Sequence, residues 1–184
     1  MLSLDNAYTE NELRAFNDRV KRGLNSDEDV NYVTELKIDG LSLSLIYEKG
    51  ELVRAVTRGD GIRGEDVTSN VRAIRSLPLR LKGVHSGRVE VRGEAYLPYL
   101  TFNRLNRERT HTGESVFANP RNAAAGTIRN LDPALVAKRG LQAFIYQIIS
   151  YGSKGTRSLG EQVIVHTEGL KRLRMWGLPV ESHW

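Results

Sequence analysis

The feature that most constrains the fold is a stretch in which leucine and serine alternate, Leu41-Ser42-Leu43-Ser44-Leu45. An alternation with a period of two places the leucines on one face of a β-strand and the serines on the other. Lys49-Gly50 then favours a turn, and the segment Glu51 to Arg58 returns as a second strand. The pattern therefore predicts a β-hairpin with antiparallel strands.

Helix signals are interspersed with further strand signals along the chain. Strands are predicted for Arg88 to Leu97 and Leu141 to Ile149, where apolar and β-branched residues concentrate. Helices are predicted after the capping pairs Thr9/Glu12 and Ser158/Glu161, across Ala123-Ala124-Ala125, and after Asp132-Pro133. Hairpin-connected strands mixed with helices favour an α+β fold, with antiparallel sheets flanked by helices, over a doubly wound parallel sheet.

Composition excludes several classes of function. The chain has no cysteine, which excludes a disulfide, a thiolate zinc site and a cysteine nucleophile within these 184 residues. No apolar run reaches membrane-spanning length and no signal peptide opens the sequence, so we expect a soluble, intracellular protein. The net charge is +5, and residues 104–184 carry 12 basic and six acidic side chains. This excess suggests a polyanion or phosphate partner, with an ordinary solvated surface as the alternative.

The segment Glu35-Leu36-Lys37-Ile38-Asp39-Gly40 carries the most unusual chemistry. The period of two that begins at Tyr32 predicts a strand here, in which Glu35, Lys37 and Asp39 share one face while the two apolar residues anchor the other. A deprotonated lysine could attack an electrophilic phosphorus. The flanking carboxylates favour the protonated form, so a metal ion or nearby arginines would have to offset them. The alternative is an exposed strand face with salt bridges.

Residues 59–64 match the glycine pattern of a dinucleotide fold, but the context does not. The preceding strand is predicted as the return arm of a hairpin, and the acidic residues Asp60, Glu65 and Asp66 would repel a pyrophosphate. We therefore interpret the stretch as a tight loop that presents Arg58. The alternative is a simple turn in which the glycines supply positive φ.

Three further residues are candidates for ligand contact. Glu94 ends a predicted strand beside Gly93, which could allow a ligand to approach closely, although salt-bridge pairing is the alternative. Arg121 and Arg129 flank a run of small residues whose backbone N–H groups could approach a phosphate. A tightly packed helix with ordinary surface arginines is the other interpretation. The four histidines lack metal-ligand spacing and receive no site, so we predict no metal site from the sequence.

Taken together, these segments resemble the adenylation (nucleotidyltransferase) domain of bacterial NAD-dependent DNA ligases. The lysine motif is shared with ATP-dependent ligases and capping enzymes, whereas the glycine loop and the alanine-rich stretch resemble the NAD-dependent branch. The matching segments are Met1 to Asn6, Glu35 to Gly40, Thr57 to Gly61, Gly64 to Thr68, Glu90 to Glu94, and Phe117 to Gly126.

The resemblance implies a role for each candidate residue. Lys37 resembles the lysine that accepts AMP, and Asp39 the motif aspartate near the metal and the lysine. The residues implied in nucleotide binding are Ser3, Leu4, Glu35, Arg58 and Glu94, of which Arg58 contacts the nucleotide and Glu94 the ribose. Arg121 and Arg129 resemble arginines that engage the nicked DNA strand.

The resemblance also implies an activity for the parent protein, which would seal nicks in duplex DNA during replication and repair. NAD adenylates the lysine, AMP passes to a 5′-phosphate, and a 3′-hydroxyl attacks, with magnesium stabilising charge at phosphorus. We expect a monomer in the bacterial cytoplasm, with no membrane partner. An ATP-dependent nucleotidyltransferase and a non-catalytic nucleic-acid-binding fragment are the alternatives.

The chain departs from the family pattern at both ends. We find no module for the nicotinamide mononucleotide half of NAD, no later lysine motifs, and no zinc-finger region. We therefore expect a partial adenylation domain, with residues 1–30 as a leading helical segment and 31–184 as the first part of a nucleotidyltransferase core that is incomplete at its C-terminus. Such a fragment should keep part of the adenosine pocket and be inactive by itself.

Overall fold

The computed structural model of the chain describes residues 6–59, 63–130, 132–152 and 165–184. The chain divides into two compact units, Met1–Thr34 and Glu35–Trp184, and each is described by itself. In the described part of the chain, no helix combines the length and the apolar character that crossing a membrane requires.

The described residues of the first unit form one helix, α1 (Glu10–Leu24). It begins as predicted, because the Thr9 hydroxyl accepts a hydrogen bond from the Glu12 backbone while the Glu12 carboxylate accepts one from the Thr9 backbone. It ends where Asn25 adopts the left-handed conformation. The helix is amphipathic, yet none of its residues is buried.

The second unit is built on a four-stranded sheet. Its strands are β1 (Leu41–Glu48), β2 (Glu51–Thr57), β3 (Arg88–Tyr96) and β4 (Gln142–Gly152), in the order β2-β1-β3-β4. All three neighbouring pairs are antiparallel. The predicted hairpin is therefore confirmed, and so is the α+β fold class.

Among the described residues, five helices accompany the sheet: α2 (Thr68–Val71), α3 (Tyr99–His111), α4 (Pro120–Ile128), α5 (Pro133–Arg139) and α6 (His166–Met175). The inward leucines of β1 belong to one core with buried residues of these helices, among them Ala123, Val136 and Leu170. The helices predicted at the alanine run and after Asp132-Pro133 are confirmed. The predicted capping pair Ser158/Glu161 lies outside the described residues.

The lysine segment is not a strand, so that prediction is wrong. β1 begins only at Leu41, which pairs with Ala95 near the end of β3. The chain after β3 reaches Pro98, which has no N–H to donate, and enters α3. Within the described part of the chain, no strand therefore pairs with residues 35–39. Leu36 is 60% exposed and does not anchor the segment in the core.

Candidate functional site

The site forms on the polar face of the sheet, around the carboxylate of Glu94. Ser42 of β1 pairs with Glu94 of β3, and its hydroxyl donates a hydrogen bond of 2.8 Å to Glu94 Oε2. Glu94 is only 8% exposed. Burial raises the pKa of the Glu94 carboxyl, while Ser42, the Gly40 backbone N–H and the charges of Arg121 and Lys37 act in the opposite direction.

Gly40 fixes the lysine segment to the end of β3 by close backbone contact. A Cβ at this position would lie 2.1 Å from the Ala95 carbonyl oxygen and 3.1 Å from Glu94 Cγ. The Gly40 backbone N–H instead donates a hydrogen bond to Glu94. Only glycine fits here, and the contact brings the preceding residues beside the Glu94 carboxylate.

Asp39 is held by an arginine from a distant helix. Arg121 Nη1 lies 3.0 Å from Asp39 Oδ1 in an ion pair whose side chains are 55% and 68% exposed. Arg121 stands in the first turn of α4, which Asn119 caps by accepting a hydrogen bond from the Asn122 backbone N–H. A nearby arginine therefore offsets one of the two carboxylates that flank Lys37.

The small residues of α4 explain how that arginine is positioned. Ala123 and Ala124 are fully buried, so the helix packs closely against the rest of the unit. Gly126 adds a close approach, because a Cβ there would lie 3.4 Å from the Phe117 ring. The alanine run thus forms a tightly packed helix, as one of the two interpretations predicted, and this packing directs Arg121 toward Asp39.

Glu35 is held from the other side by a histidine for which the sequence predicts no site. Glu35 Oε2 lies 2.6 Å from His166 Nε2, and the two side chains are 29% and 43% exposed. His166 is the first residue of α6. Both carboxylates flanking Lys37 are therefore engaged by side chains from helices late in the chain. Lys37 itself is exposed. It lies close enough to Glu94 for its positive charge to act on the pKa of that carboxyl, in the lowering direction.

Tyr146 adds a half-buried aromatic side chain to this group. A β-bulge in β4 makes it an extra residue, because Gly93 pairs with Ile145 while Arg92 pairs with Gln147. Burial raises the pKa of the Tyr146 hydroxyl, and the charge of Glu94 raises it further. Its proximity to Glu94 identifies Tyr146 as part of the same site.

Gly93 serves the sheet rather than a ligand, contrary to the sequence expectation. A Cβ at this position would lie 2.3 Å from the Phe144 carbonyl oxygen and 2.4 Å from Ile145 Cδ1. The missing side chain therefore leaves room for β4 to approach beside its bulge. Because β4 fills the space beside Gly93, the missing side chain does not open room for a ligand there.

The glycine loop presents Arg58 beside the site. Arg58 directly follows β2, and its backbone N–H donates to the Ser42 carbonyl. The Arg58 charge lowers the pKa of Tyr146, opposing the effect of burial, so the guanidinium lies near that ring. Gly59 has φ +54, and a Cβ there would lie 1.6 Å from the Arg63 carbonyl oxygen, which supports the tight-loop interpretation. Residues 60–62 lie outside the described residues.

Arg129 lies apart from the lysine segment. It caps the far end of α4, and its Nε is 2.6 Å from Glu65 Oε2. It lies eight positions after Arg121, which corresponds to about 12 Å along the helix axis. Among the predicted site residues, Lys37, Asp39, Glu94 and Arg121 come together, Arg129 does not, and Ser3 and Leu4 lie outside the described residues.

Three residues of the site were missed by sequence reasoning: Ser42, Tyr146 and His166. Ser42 belongs to a strand that was predicted, but its position opposite Glu94 depends on the register between β1 and β3. Tyr146 is placed by a bulge and His166 by the packing of α6. No local pattern signals either of them.

The four-stranded antiparallel sheet with its helices is consistent with an adenylation domain of the nucleotidyltransferase type. The family model of the NAD-dependent DNA ligase adenylation domain matches residues 1–184, so the chain belongs to that family. The resemblance drawn from the motifs is confirmed. Family membership implies a ligase origin, NAD as the nucleotide cofactor and nicked DNA as the substrate, and it favours the NAD-dependent branch over an ATP-dependent enzyme.

The carboxylates of the site suit a magnesium ion that substrate phosphate and water also coordinate. Magnesium is usually held by one or two carboxylates together with substrate phosphate and water, rather than by an all-protein cage. Within the described residues, no group of three or more histidine and acidic side chains could hold a metal ion. Exposed Asp39 is the carboxylate that fits a magnesium ion shared with a phosphate.

Proposed function

We propose that Lys37 is the nucleophile that accepts AMP from NAD, in the first step of DNA nick sealing. The single observation that supports this most directly is the engagement of both neighbouring carboxylates, Asp39 by Arg121 and Glu35 by His166. Each of these pairs engages one carboxylate beside the lysine. Less unpaired negative charge therefore faces the phosphate group that Lys37 is proposed to attack.

In the proposed step the Lys37 nitrogen attacks the phosphorus of the AMP half of NAD. A P–N bond forms, the P–O bond to nicotinamide mononucleotide breaks, and that nucleotide leaves with the bridging oxygen. The nitrogen loses its proton to solvent. Magnesium, which Asp39 would help to hold, supplies charge stabilisation at the phosphate when bound.

Adenosine recognition is assigned to the polar face of the sheet. Glu94 accepts hydrogen bonds from Ser42 and Gly40 and can accept one more from a ribose hydroxyl. Tyr146 offers an aromatic surface next to it, suited to a purine ring. Arg58, which precedes the glycine loop, would contact the nucleotide.

DNA engagement is assigned to Arg121 and Arg129 at the two ends of α4. Both are exposed arginines whose present partners are carboxylates on the same chain. Exposed pairs of this kind contribute little stability, so a phosphate can replace the carboxylate at small cost. Nick sealing by the parent ligase, in replication or repair, is the activity to which these contacts would contribute.

The phosphorimidazolide of AMP tests the nucleophile without any requirement for nicotinamide recognition. Attack by Lys37 forms the same lysine–AMP bond, breaks the P–N bond to imidazole, and releases imidazole with the proton. We expect intact mass to show one added AMP, peptide mapping to place it on Lys37, and excess adenosine to slow the reaction.

Two variants make that experiment decisive. Lys37→Arg should abolish the adduct, because a guanidinium stays protonated and does not attack. Lys49→Arg, at the exposed hairpin turn, is the matched control and should label like the wild type. Adducts spread evenly over the surface lysines, with no protection by adenosine, would contradict the proposal.

Cofactor choice and the activity of the isolated chain need a second measurement. Incubation of the 184-residue chain with NAD and magnesium, followed by intact mass, tests the expectation that the chain alone forms no adduct. In a ligase chain that carries this domain, the adduct should form with NAD and release nicotinamide mononucleotide. Comparable adduct formation with ATP alone would favour the ATP-dependent alternative.

A further inference from the structure

The loop that leads into α4 is held by the side chain of one asparagine on α3. Asn106 Nδ2 donates a hydrogen bond of 2.9 Å to the Phe117 backbone carbonyl, and Asn106 Oδ1 accepts one of 2.9 Å from the Phe117 backbone N–H. A side-chain amide has both donors and an acceptor, so it can satisfy both backbone polar groups of a single residue. The two bonds together define the orientation of the backbone at Phe117 as well as its position.

Asn106 can impose that orientation because its own helix is anchored in the core. Phe102 and Leu105 are the buried residues of α3, and Leu105 directly precedes Asn106. The Asn106 side chain is half-buried. Loss of this amide would leave a donor and an acceptor of the loop without their partners, which costs free energy where water does not fully replace them.

The Phe117 ring carries the contact on to α4. The ring is partly buried against the core, and a Cβ on Gly126 of α4 would lie 3.4 Å from it. Two guanidinium groups also lie over the ring, with Arg109 Cζ at 4.6 Å and Arg139 Cζ at 5.7 Å from its centroid. The residue that Asn106 holds is therefore packed against the helix that follows it.

The position of this loop determines where α4 begins. Asn119, two residues after Phe117, caps the helix by accepting a hydrogen bond of 2.8 Å from the Asn122 backbone N–H. Arg121 follows two residues later, in the first turn, and its Nη1 lies 3.0 Å from Asp39 Oδ1. A displacement of the cap therefore displaces the Arg121 guanidinium relative to Asp39.

We propose that Asn106 is a positioning residue, which acts through the loop before α4 to hold Arg121 beside Asp39. The assignment rests on the proposed function, because the pair affects the reaction only if Lys37 attacks the phosphorus of AMP. An arginine in a defined position keeps a carboxylate near that phosphorus paired, and the interaction weakens as the two charges separate. The hydrogen bonds of Asn106 go to Phe117, so its influence on the reaction is indirect.

Labelling of Lys37 by the AMP phosphorimidazolide measures the consequence. Asn106→Ala should slow the labelling about threefold, which is the size of effect expected from weakening one exposed ion pair. Asn106→Asp should be slowed as well, because a carboxylate of nearly the same shape cannot donate to the Phe117 carbonyl. A side chain that only fills space would tolerate the change to aspartate.

Asn103→Ala is the matched control. Asn103 is the same residue type on the same helix, three positions earlier, and its side chain has no hydrogen-bond partner in the described part of the chain. This variant should label like the wild type. Slowing equal to that of Asn106→Ala would show that the effect comes from α3 in general and would overturn the proposal.

A double variant distinguishes positioning of Arg121 from general destabilisation. If Asn106 acts through Arg121, then Asn106→Ala combined with Arg121→Gln should label as slowly as Arg121→Gln alone. Independent effects would multiply, and the double variant would lose a further factor of about three. That further loss would overturn the proposal.

Hydrogen–deuterium exchange follows the loop without any nucleotide. The peptide that spans residues 117–123 contains the Phe117 and Asn122 N–H groups that Asn106 and the cap protect. Its exchange should be faster in Asn106→Ala and in Asn106→Asp, and unchanged in Asn103→Ala. Unchanged exchange in Asn106→Ala would overturn the positioning role.

The two readouts separate this inference from the proposed function. If the wild type forms no adduct at Lys37, the proposed function fails, and the exchange measurement still decides whether Asn106 positions the start of α4. If the wild type is labelled and Asn106→Ala shows faster exchange with an unaltered labelling rate, the proposed function stands and the positioning inference is overturned.

Discussion

Arg121 Nη1 lies 3.0 Å from Asp39 Oδ1, although 82 residues separate the two along the chain. The contact joins the alanine-rich helix α4 to the lysine segment, so two motifs that are far apart in the sequence form one site. It also places a positive charge beside a carboxylate that would otherwise repel a phosphate group approaching Lys37.

Replacing Arg121 should therefore slow the reaction of Lys37 at neutral pH. In Arg121→Gln the Asp39 carboxylate loses its partner, and we expect labelling by the AMP phosphorimidazolide to slow about three- to tenfold. Arg104→Gln is the control, because it breaks another exposed ion pair, with Glu108, that lies on α3 alone. Equal labelling of the two variants would show that the Asp39 pair has no influence on the lysine.

Gly40→Ala should destabilise the second unit by about 3 kcal/mol, because the added Cβ would meet the Ala95 carbonyl oxygen at 2.1 Å. Urea denaturation followed by circular dichroism measures this. Gly23→Ala provides the opposite case, since Gly23 lies within α1 with no atom within 4 Å of a new Cβ. That variant should be stabilised by about 0.5–1 kcal/mol. A Gly40→Ala protein as stable as the wild type would rule out the close contact.

Glu94 should make stability depend on pH in a defined direction. Its pKa is raised above the ordinary value of 4.5, so the folded state favours the protonated carboxyl. The stability that the protonated Glu94 carboxyl adds to the folded state is fully present below its unfolded-state pKa. It is lost as the pH rises through the folded-state pKa of Glu94. Glu94→Gln should therefore gain stability relative to the wild type as the pH rises above the ordinary carboxyl pKa of 4.5.

Urea denaturation at a series of pH values checks this, with Glu108→Gln as an exposed control on α3. The difference in unfolding free energy between Glu94→Gln and the wild type should increase with pH. If that difference is constant, or falls as the pH rises, burial does not control the Glu94 carboxyl.

DNA binding should depend on salt through the two arginines of α4. Each phosphate contact in duplex DNA contributes about 0.9 to the slope of log affinity against log salt concentration. The double variant Arg121→Ala, Arg129→Ala should therefore flatten the slope by about two units. Fluorescence anisotropy with a nicked duplex measures it, with Arg104→Ala as control. An unchanged slope would indicate that both arginines serve only their carboxylate partners, Asp39 and Glu65.

Local patterns in the sequence were enough to predict the hairpin, most helices and the identity of the reactive segment. The alternation of Leu41 to Leu45 places one face in the core whatever surrounds it, because side chains on a strand alternate strictly. Asp132-Pro133 and the Thr9/Glu12 pair satisfy helix ends with their own neighbours, so their effect is equally local. The family resemblance depended on motifs of this local kind.

The strand prediction for residues 35–40 failed because a strand needs a partner, and alternation alone does not supply one. Both carboxylates that flank the lysine have side-chain partners because α4 and α6 pack against the core. This packing brings Arg121 to Asp39 and His166 to Glu35. Tyr146 joined the site through a bulge that Gly93 makes possible. The sequence by itself determined which residues carry the chemistry, because that is a property of side chains and their near neighbours. Only the tertiary structure decided which charges oppose one another, because electrostatic interactions depend on distances in space and not on separation along the chain.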